Sequence, residues 1–158
     1  MLVVYFQLDS QDVRVFSRQW WAELLTGLIG RSEYKHCCIG DGEVVYARRF
    51  DGSSFYPSVP FERHSALFGT DFKVVLPVAC NLSDLPLDAK ASIWRGFVTF
   101  FSRGESNGMD CVSVVCSVLN KSGLGVPRGT VTPDQLLAFL EGRGYEREPV
   151  GHQAAPPC

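Results

Sequence analysis

Cys111 has the surroundings of a nucleophile. It follows Asn107-Gly-Met-Asp110, a polar turn ending in a good helix N-cap type. It precedes Val112, Val115, Cys116 and Leu119, apolar or near-apolar residues at helical spacing. That places its thiol in the first turn of a helix, where unpaired backbone N–H groups and the positive end of the dipole favour a thiolate. A lowered pKa makes a cysteine reactive near neutral pH. The competing expectation is a small buried apolar residue, the role expected for Cys116 one turn later. The base that such a thiol needs is best supplied by His36, among small and apolar neighbours on a strand candidate. A hydrogen-bonded core histidine is the alternative for His36.

The elements that must position this pair can be read in order. Leu2 to Leu8 is strand-like, and Asp9-Ser10 stops it. Ser17 is a cap type ahead of Trp20, Trp21, Leu24, Leu25 and Leu28 at helical spacing, with Gly27 and Gly30 ending the pattern. The two tryptophans read as packing residues, or as the wall of an apolar cleft or partner surface. Tyr34 to Ile39 and Glu43 to Ala47 form two strands around Gly40-Asp41-Gly42, a hairpin signal. Arg48 to Gly69, broken by Gly52, Pro57 and Pro60, reads as a long loop, with His64 solvated. Phe72 to Ala79 is a strand near an edge because of Pro77.

A helix from Ser83-Asp84, made apolar by Ile93, Trp94, Phe97, Phe100 and Phe101, leads through a polar loop at Arg103–Gly108 to the Cys111 helix. Gly123 to Pro127 ends that helix. Thr132-Pro133-Asp134 opens a last one, with Leu136, Leu137 and Leu140 on one face. The expected architecture is α+β, a small and largely antiparallel sheet packed on helices. One domain spans residues 1–150, and an Ala- and Pro-rich tail over 151–158 is expected to be disordered.

The totals narrow the function classes. The 158 residues suffice for one core, and 46% hydrophobic with 20% charged residues is ordinary for a globular chain. A net charge of -2 argues against nucleic acid as a partner. Met1 to Phe6 is too short and lacks the basic flank for a signal peptide, and no other run reaches transmembrane length. The six cysteines, Cys37, Cys38, Cys80, Cys111, Cys116 and Cys158, suit a reducing compartment. None forms a Cys-x-x-Cys pair. His36-Cys37-Cys38 puts only His36 and Cys38 on one side of a strand, so neither a metal nor another cofactor is expected.

The order His36 then Cys111 reverses that of ordinary papain-like enzymes. It resembles the circularly permuted papain-like cysteine hydrolases, relatives of the NlpC-type peptidases and of lecithin–retinol acyltransferase with many small bacterial and phage-encoded members. The segment His36-Cys-Cys-Ile-Gly-Asp-Gly-Glu-Val-Val-Tyr-Ala47 is similar to that family's histidine strand, turn and return strand. Asp110-Cys-Val-Ser-Val-Val115 is similar to its Asp-Cys-Ser-Gly-Leu-Val type of motif, and Val131-Thr-Pro-Asp-Gln-Leu-Leu137 to its closing helix. Two positions depart from the pattern. The return strand carries Tyr46 and Arg48 where the family places a His, Glu, Gln or Asn to orient the histidine. Val112-Ser113-Val114 stands where Ser-Gly is common.

The resemblance implies a permuted papain-like (NlpC-type) domain and a cysteine hydrolase, an amidase or peptidase. Its catalytic residues are Cys111 and His36, and it works through a thioester intermediate. The third residue is left open among Tyr46, Arg48, Asp51, a backbone carbonyl and a water. The implied substrate is a peptide or a peptidoglycan stem peptide, for a protein of the cytoplasm or of a phage virion. Two alternatives stand beside it: a thiol acyltransferase acting on lipid, and a non-catalytic structural protein such as a phage tail or virion component that contacts other phage structural proteins.

Overall fold

The computed structural model describes residues 1–8, 14–49, 52–66, 71–80, 82, 85 and 110–150. Strand β1 (Leu2–Gln7) is buried along its whole length. It pairs antiparallel with β2 (His36–Gly40) on one side and β5 (Phe72–Leu76) on the other, so that Val4 faces Ile39 and Val74. Burial on both faces explains its unbroken apolar run. Strand β3 (Val44–Arg49) continues the sheet beyond β2, and β4 (Gly52–Pro57) lies outside it. The short β6 (Arg147–Pro149) closes the far side. The six strands are all antiparallel, in the order β4-β3-β2-β1-β5-β6. With the helices this is an α+β domain.

The period of two splits the sheet into two cores. Val4, Phe6, Cys37, Ile39, Tyr46 and Val74 face α3 (Cys111–Lys121) and α4 (Pro133–Gly142). Val3, Tyr5, Cys38, Val45 and Ala47 face the opposite way, toward Phe61 of α2 (Ser58–Ala66). There the Tyr5 hydroxyl donates to Glu62 at 2.9 Å, and Lys73 pairs with the same carboxylate at 3.1 Å. Gln7 donates to Ser65 at 3.0 Å. These contacts fix α2 to the middle of the sheet.

The expected caps are present. Ser17 accepts from Trp20 N at the start of α1 (Arg18–Leu28). Thr132 and Gln135 form a reciprocal capping box on α4, with Pro133 at its first position. In the β2–β3 turn, Asp41 Oδ1 accepts from the N–H groups of Glu43 and Val44, and Gly42 takes a φ of 101° that favours glycine.

Three expectations fail. Residues 52–66, read as part of a loop, form β4 and α2. An edge strand tolerates Ser53, Ser54 and Pro57 because its outer ladder is unused, and Pro60 falls in the first turn of α2, where its missing N–H costs nothing. His64, read as solvated, is half-buried on that helix. Helix α1 buries Gln19 and Glu23, hydrogen-bonded to each other at 2.7 Å, while Trp21 and Leu28 are exposed. The phenylalanine-rich helix around Trp94, the loop at 103–108, Asp51 and the tail with Cys158 lie outside the described residues. Among the described residues no helix is long and apolar enough to cross a membrane.

Candidate active site

Helix α3 begins at Cys111 because Asp110 caps it. The Asp110 carboxylate accepts from Ser113 N at 2.7 Å, and Ser113 Oγ accepts from Asp110 N at 3.3 Å. Val112, Val114, Val115, Val118 and Leu119 are buried. Each such side chain contributes about 1.5–3 kcal/mol when fully buried, enough to hold a short helix of β-branched residues against the sheet. The helix packs across β2 and β3 and presents its first residue to the start of β2.

His36 is the first residue of β2 and is 1% exposed. The β2–β3 ladder covers only Ile39 opposite Tyr46 and Gly40 opposite Val45, so His36 lies beyond it. Its imidazole neighbours the thiols of both Cys38 and Cys111. Neither ring nitrogen makes a hydrogen bond of regular geometry. The expected side-sharing of His36 and Cys38 is present, and Gln7, opposite His36 on β1, accepts from the Cys38 thiol at 3.7 Å.

Cys37, on the other face of β2, was not anticipated as part of the site. Its thiol and its backbone N–H both face the Cys111 sulfur. The thiol donor holds Cys111 well below the usual thiol range. Burial opposes this, and the neighbouring His36 charge adds to the lowering. Burial alone would depress His36, but its electrostatic and hydrogen-bonding interactions with the Cys38 and Cys111 sulfurs outweigh it and raise the imidazole well above its ordinary value. Cys37 moves up, through burial first and then its bond to Cys111. Both directions favour a thiolate at Cys111 and a proton on His36. One turn on, burial pushes the half-buried Cys116 up to about 12, which disfavours its thiolate. The alternation of Cys37 with Ile39 on the helix-facing side was the sequence signal for Cys37.

The groups considered for orienting His36 are distributed differently. Tyr46 is buried on the α3 face and stacks edge-on against Phe55, with ring centres 5.1 Å apart. Arg48 is buried, and its Nε and Nη1 have no hydrogen-bond partner, so it does not bond His36 through them. No group of three or more His, Cys, Asp or Glu among the described residues could hold a metal ion. No protein-family model, curated protein or solved structure matches this chain.

Proposed function

We propose that this chain is a cysteine hydrolase of amide bonds, built as a permuted papain-like domain, with Cys111 as nucleophile and His36 as its acid and base. The observation that carries the reading is the meeting of a capped helix start at Cys111 with the buried imidazole of His36. The Cys111 thiolate adds to the carbonyl carbon, and backbone N–H groups at the start of α3 receive the oxyanion. His36 gives its proton to the leaving amine as the C–N bond breaks and a thioester remains. A water then loses a proton to His36 and adds to the thioester. The C–S bond breaks, which frees the acid and restores the thiolate–imidazolium pair. A peptide or peptidoglycan stem peptide suits this chemistry, and the resemblance to phage-encoded hydrolases extends the proposal to a virion protein acting on the cell wall.

A second reading has its own support. His36 is almost wholly buried and lacks a regular hydrogen bond on either nitrogen, as befits a chain that kept the fold as a structural component. One experiment separates the two. Alkylation of Cys111 is followed against pH in the wild type and in His36→Ala. The hydrolase reading expects fast reaction well below the free-thiol value of about 8.5, lost in the variant. It also expects labelling by a thiol-directed acyl probe that Cys111→Ala abolishes. Slow alkylation, unchanged by His36→Ala, assigns the chain to the structural class.

A further inference from the structure

Arg48 is 3% exposed, and neither Nε nor Nη1 has a hydrogen-bond partner. Those two donors have lost water without gaining a hydrogen bond, and no ion pair to Arg48 is formed among the described residues, which is costly unless something else supplies the charge. Its place in the sheet says what could. Tyr46 lies opposite Ile39 and faces α3. Two residues further along β3, Arg48 is on that same face. Two residues back along β2 is Cys37, whose thiol meets Cys111. The ladder between the strands stops before this point, so Arg48 stands where β2 and β3 are no longer hydrogen-bonded. Nε and Nη1 each keep an N–H to offer, and a charged acceptor such as a carboxylate oxygen satisfies such a donor more strongly than a neutral one.

We infer that Arg48 forms a subsite that recognises a carboxylate on the substrate of the Cys111 site. This rests on the hydrolase reading for the word substrate, though not for the anion itself. The substrates are then amides with a free carboxylate close to the scissile bond. Arg48 is a binding and specificity residue, and takes no part in moving protons at His36.

The test compares alkylation of Cys111 by iodoacetate and by the near-isosteric neutral iodoacetamide, followed at that residue by mass spectrometry. His36 attracts the anion equally in the wild type and in Arg48→Met, so the change in the rate ratio between them isolates Arg48. The expected fall is on the order of tenfold, as for loss of one charge-assisted hydrogen bond. Arg48→Lys, which keeps the cation, falls in between. An unchanged ratio overturns the inference. If Cys111 reacts slowly with both reagents, the hydrolase reading fails, and the thermal midpoint decides on Arg48. N-acetylglycine raising the midpoint of the wild type but not of Arg48→Met, with N-acetylglycinamide inactive on both, keeps the carboxylate site. No such difference removes it. Exchanging an unpaired buried charge for a methionine of similar length should leave the variant folded.

Discussion

Replacing Asp110 with Asn tests the electrostatics of the site without disturbing its geometry. The Asp110 carboxyl is pushed from its ordinary 3.8 up to about 6, first by burial and then by the negative charge of Cys111. A carboxyl whose folded value exceeds its unfolded one is favoured in its neutral form by folding. The stability it contributes is complete below about pH 4, declines as pH rises toward 6, and is gone above that. The difference amounts to about 3 kcal/mol at 1.36 kcal/mol per unit, a ceiling because part of Asp110 still reaches water.

Asn keeps an Oδ1 to accept from Ser113 N and is as good an N-cap as Asp. Asp110→Asn should therefore match the wild type in urea unfolding at pH 4 and be more stable at pH 7.5, by up to about 3 kcal/mol. With a urea slope of roughly 1–3 kcal/mol/M, the midpoint difference opens to about 1 M or more. Because the Asp110–Cys111 coupling is reciprocal, the variant's Cys111 should also alkylate at least as fast as the wild type below neutral pH. Asp110→Ala serves as the control, less stable than Asp110→Asn by a pH-independent cap loss of about 1 kcal/mol. A stability gap between wild type and Asp110→Asn that does not change from pH 4 to 7.5 would refute the assignment of a strained carboxylate at the helix start.

Asp134 accepts from the backbone N–H groups of Glu33 and Tyr34 at 2.7 and 2.9 Å, tying the start of α4 to the approach to His36. Asp134→Ala should lose about 1–3 kcal/mol, read as a lower urea midpoint, and slow Cys111 alkylation by loosening the histidine. A Cβ on Gly40 would stand 2.9 Å from the Val44 carbonyl oxygen and 3.3 Å from Tyr5 and Val45 side-chain atoms. Gly40→Ala should lower the urea midpoint by the equivalent of about 1–3 kcal/mol, and an unchanged midpoint would count against this register of β2 and β3.

The caps were legible because Ser17, Asp110 and Thr132 each combine a short polar side chain with an apolar period behind it. The hairpin was legible from Gly40-Asp41-Gly42. What stayed hidden depended on partners distant in sequence. β4 takes its strand form from pairing along the length of β3, and its serines carry no alternation of their own. β6 has three exposed residues and is a strand only because β5 lies beside it. At the site, types and order pointed to Cys111 and His36. The part played by Cys37 depends on which face of β2 meets α3, and the isolation of Arg48 depends on where the β2–β3 ladder stops. Both are facts of register, which pattern alone leaves free.

In the proposed hydrolase, Cys111 draws its reactivity from β2, an element laid down much earlier in the chain. Until α3 has been synthesised and docked on the sheet, its sulfur has neither the Cys37 donors nor the His36 charge, and it titrates as an ordinary thiol near 8.5. A nascent or partly unfolded chain is thus chemically mild toward its surroundings. On that reading it becomes a nucleophile in the same event that seats α3 on the sheet, so fitness to react doubles as a report that this packing has formed.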